Sequence, residues 1–483
     1  MIPSALNCLE IEGTFVLDES VGIASATPSL ISFSENHLSN RIRQITGLGL
    51  TITNEQDKEI RFKLLEPSAD KNENYAIKIT QNAIELSGTQ TGLFYAVESL
   101  CQLLIKKNKK WSWACLEIED KPAFQWRGLM LDCSRHFINV NYILSYIDII
   151  SRMKMNRLHL HLNDDQGWRI EIKSHPELTN IGGYVKQGTN HEGFYTQEEI
   201  RRIIAFAKLR NVMIIPEIEI PGHAFAAMKS YPWLCCTGKP KTNQGHQKDL
   251  YCAGNEKTFE FLEDVFQEII DLFPAPYIHI GGDEAPKENW EKCPNCQKRI
   301  TEEQLKNEEE LQAYMIQRIA TFLQLQGKQV IGWDEILDGN PSNNLIVHWW
   351  RHRTHGNTAA IEALKKGHKL IASPNSFCYL NFPTEPEENF AIERTSTLKK
   401  IYESELFPSN LDSSSSELIL GIECCLWTEY ISEDEIDKML FPRILALAEL
   451  MWRYPENRDF DEFHKRVTQE EGLWKKANVE FGP

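Results

Sequence analysis

An aspartate and a glutamate stand side by side at Asp283 and Glu284, directly after the run Y-I-H-I-G-G. Paired carboxylates are a minimal kit for acid–base work at a bond being broken. Most such pairs are solvated loop residues, but this one follows an apolar, glycine-ended run with the look of a buried strand. Successive strand residues point to opposite sides. Neighbours therefore do not readily face one bond as separate nucleophile and acid; the spacing leaves one to protonate a leaving oxygen and the other to touch a different part of the substrate.

Other chemistry-bearing residues are scattered along the chain. P-E-I-E-I-P-G-H (216–223) carries Glu217, Glu219 and His223 beyond another apolar run. His159 and His161 form H-L-H, which on a strand puts both rings on one face, the spacing of a metal pair in barrel amidohydrolases. No later histidine pair completes a ligand set, so interior structural histidines are the better reading and no metal is expected. Cys293 and Cys296 form C-P-N-C, half of a zinc site or a redox pair. With no second C-x-x-C in the chain, a local disulfide or plain thiols is favoured; a knuckle completed by other cysteines has no sequence support. Most of the twelve cysteines, including the adjacent pairs Cys235-Cys236 and Cys424-Cys425, read as small buried hydrophobes.

These residues need a scaffold. From about residue 124 apolar runs recur, each followed by a helical pattern: 126–132, 156–162, 211–217, 277–282, 329–334, 345–350, 369–373 and 418–427. Thr196 and Glu199 form a capping box that starts one of the helices. Eight strands alternating with helices predict an α/β fold, a (β/α)8 barrel. The connection between the fifth and sixth runs, with N-P-S-N-N in its middle, is too short for a full helix. The first 120 residues have a different texture. Y-A-I-K-I-T and A-I-E-L-S-G alternate, and an amphipathic segment follows at 92–104, which predicts a small α+β domain ahead of the barrel. The expected division is 1–120, 121–460 for the barrel and 461–483 for a C-terminal tail packing on it.

A barrel places active residues at the C-terminal ends of its strands. Those positions hold Asp132, Asp164, Glu217 or Glu219, Asp283, Glu284, Trp333, Asp334, Trp350 and Trp427. Indole faces stack on the C–H faces of pyranoses and carboxylates accept from hydroxyls, so acids and tryptophans with little positive charge suit a neutral polyol such as a sugar. The chain has 52 basic against 69 acidic side chains, a net charge of −17, which argues against nucleic acid as a partner. No run approaches the roughly 20 apolar residues of a membrane span. The start, M-I-P-S-A-L-N-C, lacks a basic region followed by an apolar core, so no signal peptide is expected in this chain. A cytoplasmic location, or a periplasmic or secreted one after trimming, stays open, as does the oligomeric state.

Seven ordered motifs resemble the β-N-acetylhexosaminidases of glycoside hydrolase family 20. They are R-G-L-M-L-D-C-S-R-H-F (127–137), H-L-H-L-N-D-D-Q-G-W-R, P-E-I-E-I-P-G-H, H-I-G-G-D-E, G-W-D-E, S-P-N-S-F-C-Y-L and L-W-T-E-Y (426–430). The resemblance implies a retaining exo-glycosidase that removes terminal β-linked GlcNAc, with GalNAc as a second candidate, without cofactor. In that scheme the substrate's own acetamide replaces the protein nucleophile. Glu284 would be the acid and then the base, Asp283 would orient the acetamido N–H, and Tyr379 would bond the acetamido oxygen. Trp333, Trp350 and Trp427 would wall the pocket. Arg127 and Glu429 would bind outer hydroxyls, while Asp164 and His223 would support the acid. Two positions depart from the commoner pattern of the family: Glu219 stands where Asp is usual, and Asn381 where many members have Asp. The loss of charge at Asn381 leads to an expected tolerance of 6-sulfated GlcNAc. Two rivals remain: an inactive sugar-binding barrel, and a metal-dependent amidohydrolase built on His159 and His161.

Overall fold

The computed structural model describes residues 1–25, 28–52, 58–66, 72–185, 192–243, 246–247, 249–339, 341–387, 391–409, 411–454 and 458–483. Parallel strands close into an eight-stranded barrel. They are β1 (Trp126–Asp132), β2 (Arg157–His161), β3 (Met213–Ile220), β4 (Tyr277–Gly281), β5 (Gln329–Trp333), β6 (Ile346–Trp349), β7 (Leu370–Ala372) and β8 (Ile419–Leu426). Each falls on an apolar run expected to be a strand. The Thr196–Glu199 capping box is formed at the head of helix Gln197–Leu209. The connection from β5 to β6 is a short 3-10 helix, Asp334–Gly339, as its length required.

Alternate strand residues point inward and stack in layers. The lowest layer is apolar, with Trp126, Ile215, Ile331, Ile346 and Ile371. The uppermost gathers Met130, Trp333, Tyr379, Phe382, Cys425 and Trp427. Between them lies a polar layer. His159 reaches Glu423 at 2.8 Å and Glu217 at 3.2 Å, and His279 reaches Glu217 at 2.8 Å. Burial opposes charge on His159, but Glu217 and Glu423 outweigh it and raise the imidazole to about 9. Burial likewise opposes ionisation of Glu217, yet three neighbouring imidazoles hold it well below the ordinary carboxylate range. Both H-L-H rings are buried in the interior, as expected, and His159 also meets two single histidines from other strands. The rings of His279 and His348 stand 4.7 and 6.1 Å from that of His159. They arrive on β4 and β6 by barrel closure, a long-range event with no local spacing to announce it.

The N-terminal region is an eight-stranded mixed sheet. Its order is Asn7–Leu17, Lys110–Asp120, Tyr75–Ile79, Ala83–Gly88, Lys58–Leu64, Val21–Ser25 and Thr51–Ile52, with Ile105–Lys107 also on Lys110–Asp120. Alternation puts Tyr75, Ile77 and Ile79 inward, against helices Pro28–Thr46 and Gln90–Gln102. Where sheet and barrel meet, Arg127 and Lys154 are each matched by a carboxylate. Arg127 forms two bonds to Glu73 at 2.7 and 3.0 Å and donates to the Phe124 and Lys154 carbonyls, each at 2.7 Å. The Lys154 ammonium, wholly buried, meets Asp120 at 3.1 Å and Tyr75 at 2.8 Å and lies over the Trp452 ring. Helix Phe460–Lys476 buries Phe463, Val467 and Trp474, the last against Phe441 at 5.2 Å.

Candidate active site

The C-terminal mouth of the barrel collects the pocket side chains singled out from the sequence, with Glu219, His159 and His161 buried beneath it and with one residue, Arg127, at the other end. Asp283 is buried and Glu284 is mostly exposed. Strand alternation predicts that they diverge; instead both turn toward His223, whose Nε2 lies 3.4 Å from Asp283 and 3.7 Å from Glu284. The strand has already ended at Gly281, and the backbone then coils through φ of +68°, +105° and, at Glu284, +45°. The first glycine is obligatory for a second reason: a Cβ at Gly281 would lie 1.8 Å from Glu219 Oε1. That oxygen accepts from the Gly282 N–H at 2.9 Å. Glu219 is thus fully buried behind the acid pair, where it braces the turn rather than lining the pocket.

The carboxyls around this turn differ in charge preference. Burial, then the charges of Asp283 and Glu217, push Glu219 well above the ordinary range, so it is held as the acid. Burial also opposes ionisation of Asp283, but the charge and hydrogen bond of His223 outweigh it and keep the carboxylate. Glu284 is raised, first by desolvation and second by the charge of Asp283. A chain of ion pairs backs the group. Arg135 reaches Asp164 at 2.7 Å, and Asp164 accepts from His223 at 3.2 Å. Burial disfavours the Asp164 carboxylate, and Arg135 and His223 together hold it well below the ordinary range.

The aromatic wall faces the acids. Tyr379 is fixed to β8 by two backbone bonds of its neighbours, Cys425 N–H to Cys378 O and Leu380 N–H to Cys425 O, each 2.9 Å. Its ring stacks on Trp350 at 6.1 Å and lies 6.2 Å from Trp427. Burial pushes its hydroxyl well above the ordinary value, so it remains a donor. Trp333 lies beneath, its indole N–H given to Glu217 at 2.8 Å. Around the mouth the protonated Glu219 shares a hydrogen bond with Asp283 and the Trp427 indole one with Tyr379, while Asn381 Oδ1 is buried there without a partner among the described residues. Leaving a buried polar atom unpaired costs about 1–3 kcal/mol, so Asn381 Oδ1 is open to a polar group of a ligand.

The exception is Arg127. It is the second residue of β1 and lies at the opposite end of the barrel, roughly 16 Å of strand below Asp132. It is spent on Glu73 and cannot reach a sugar. The guanidinium at the mouth is Arg135, which sits 4.9 Å over Trp427, pairs with Asp132 at 3.2 Å and approaches Glu429 at 4.0 Å. Both arginines belong to the same eleven-residue motif; position relative to the strand end separates them. Glu335 was also missed. It accepts from the Trp350 indole at 2.9 Å, and burial with the charges of Asp334 and Asp283 pushes it well up. Its signal was present in G-W-D-E, directly after β5. The histidines of H-L-H lie below the pocket: His161 bonds Glu217 and Asp164, and His159 belongs to the middle layer.

A parallel barrel whose mouth joins a paired acid to a wall of indoles has the build of a glycoside hydrolase. The chain belongs to glycosyl hydrolase family 20: the catalytic domain of that family matches residues 124–455, and its domain 2 matches residues 1–121. A beta-hexosaminidase of Porphyromonas gingivalis is 37% identical over 489 residues, covering 97% of this chain and 62% of that protein. The chain thus spans under two thirds of that relative's length. One from Akkermansia muciniphila is 32% identical over 440 residues, covering 88% and 87%. The crystal structure of a beta-N-acetylhexosaminidase from Bacteroides fragilis superposes with a TM-score of 0.88 at 33% identity, over 100% of this chain and 97% of that one.

Proposed function

We propose that the protein is an exo-acting β-N-acetylhexosaminidase that works with retention through the substrate's own acetamido group. The observation that carries this reading is that Asp283 and Glu284 leave one turn and meet at one imidazole. They therefore approach a sugar from the same side. A protein nucleophile and its acid must flank the anomeric carbon from opposite faces, and these two cannot. Membership of family 20 supports the substrate's own acetamide as the group on the second face.

In the first step the acetamido carbonyl oxygen bonds to the anomeric carbon as the glycosidic bond breaks. The Glu284 proton passes to the leaving oxygen. The acetamido N–H of the resulting oxazolinium ion is held by the Asp283 carboxylate, which His223 keeps ionised, and Tyr379 donates to the acetamido oxygen. In the second step Glu284 takes a proton from water. The water oxygen bonds to the anomeric carbon, the oxazolinium ring opens, and configuration is retained. Arg135, Glu429 and Asn381 are placed for the outer hydroxyls, and Trp333, Trp350 and Trp427 enclose the acetamido methyl and the ring. The related hexosaminidases of this length and fold support the activity. The substrate is a glycan ending in β-GlcNAc, with β-GalNAc as a second candidate.

The test is release of p-nitrophenol from its β-GlcNAc glycoside and from its β-glucoside. Turnover of the first with none of the second is expected; equal rates would remove the acetamide from the mechanism. A finer reading concerns Asn381. An uncharged amide there does not repel an anionic substituent, so a 6-sulfated GlcNAc glycoside is expected to be cleaved, and a negligible rate on it would end that reading.

A further inference from the structure

Four cysteines that are distant in sequence converge beside the mouth. Cys236 and Cys252 lie on the long loop after β3, and Cys293 and Cys296 on the loop after β4. Their sulfurs all lie within 4.8 Å of one another. The individual separations are 3.7 Å for Cys236–Cys296 and 3.8 Å for both Cys252–Cys293 and Cys252–Cys296. Two bonded sulfurs would be about 2.05 Å apart. Four sulfurs bound at about 2.3 Å to one tetrahedral zinc stand about 3.8 Å apart along each edge. The observed spacing is that of the tetrahedron and not of the disulfide.

The surroundings agree with a closed site. Cys252, Cys293 and Cys296 are buried and Cys236 is half-buried. The Gly254 backbone N–H donates to Cys252, and Cys293 precedes Pro294 at the head of helix Pro294–Glu302, an arrangement that presents Cys293 and Cys296 side by side. The two loops are pressed together there: a Cβ at Gly254 would lie 2.1 Å from the Asn295 carbonyl carbon. Cys235, next in sequence, turns away and donates to the Pro232 carbonyl at 3.3 Å. Thiolate-only, tetrahedral ligation selects zinc among the common divalent ions.

We infer that Cys236, Cys252, Cys293 and Cys296 form a structural zinc tetrathiolate that staples the loop carrying His223 to the loop carrying Asp283 and Glu284. The site stands apart from the glycosidase chemistry: its cysteines belong neither to the carboxyls around His223 nor to the aromatic cluster of the mouth.

The test begins with full-length protein purified without chelator or added metal. Elemental analysis is expected to find one equivalent of zinc per chain, and titration with a thiol-binding mercurial should release it in step with thiol modification. Refolding with cobalt in place of zinc should give the intense visible bands of a tetrahedral cobalt thiolate. Cys252→Ser and Cys296→Ser should lose the metal, while Cys235→Ser should keep it. Should the ligand variants fail to fold, the mercurial titration and cobalt spectrum of the wild-type chain decide alone. Metal-free native protein with four alkylatable thiols, disulfides among these four cysteines, or stoichiometric iron would each overturn the assignment.

Discussion

Two buried charged clusters occupy opposite ends of the same barrel, and they are built differently. At the floor, Arg127, Lys154, Asp120 and Glu73 are matched with one another and with backbone carbonyls. At the mouth, the charges are held in a chain from Arg135 to Glu284 that ends on an exposed carboxyl, and Asn381 Oδ1 has no partner among the described residues. Left-handed backbone at non-glycine residues occurs at both ends, at His223 (φ +47°) and Glu284 (φ +45°) at the mouth and at Lys154 (φ +61°) at the floor. Such conformations cost of order 1 kcal/mol each. Burial alone therefore does not mark a working site. Charges closed on one another at the floor report assembly, while a chain of charges that ends on an exposed carboxyl, Glu284, reports a ligand.

Substitutions at the two ends should separate cleanly. The largest effect is expected from Glu284→Gln, which lowers kcat by about 10²–10⁴-fold on substrates with poor leaving groups. Its exposed side chain leaves the melting temperature near wild type; activity surviving on such substrates would deny Glu284 the acid role. Next comes Arg127→Met at the floor. Removing one partner of a buried pair costs about 3–5 kcal/mol, so the denaturation midpoint falls while kcat/KM per folded molecule holds. The reverse pattern would return Arg127 to the pocket. Arg135→Met should lower kcat/KM by roughly 10- to 100-fold, the scale of lost charged hydrogen bonds. Its binding of free GlcNAc, followed by calorimetry, should weaken in parallel.

A subtler effect is expected in the pH profile. Glu284 must be protonated for the first step, so the rate falls as pH rises through its pKa. Desolvation and the charge of Asp283 raise that pKa. Asp283→Asn removes the charge, so beyond the fall in kcat the alkaline limb should move to lower pH; an unmoved limb would mean that Asp283 is not ionised beside it. The smallest change is expected from Asn381→Asp, which should lower the rate on 6-sulfated relative to plain β-GlcNAc glycosides by a few-fold, the scale of one partly solvated like-charge contact.

The eight strands were legible because each is a short apolar run with breaks on both sides, and barrel strands buried on both faces carry that signal strongly. The paired acid was legible for the same reason: it follows such a run directly. What stayed hidden depends on closure. Nothing near His159 announces His279 or His348, which reach it only when β4 and β6 come round. C-P-N-C looked like half a motif because its complement, Cys236 and Cys252, is carried by another loop and has no regular spacing. The divergence expected of Asp283 and Glu284 failed because strand alternation stops at Gly281, where positive φ begins. Arg127 and Arg135 were confused within one motif because its resemblance gives residue types in order, while depth along β1 decides which of them meets solvent.

The floor carries a thermodynamic consequence. Trp452, from the last turn of a barrel helix, packs within the core of the N-terminal sheet and gives its indole N–H to Asp120 at 3.0 Å. Arg127, from the first barrel strand, is neutralised by Glu73 of the N-terminal region. Melting the sheet alone would break the Arg127–Glu73 and Lys154–Asp120 ion pairs and expose Trp452 and the apolar surface around it to water. Partial unfolding is thereby penalised at that boundary, and heat should dissolve sheet and barrel in a single cooperative endotherm.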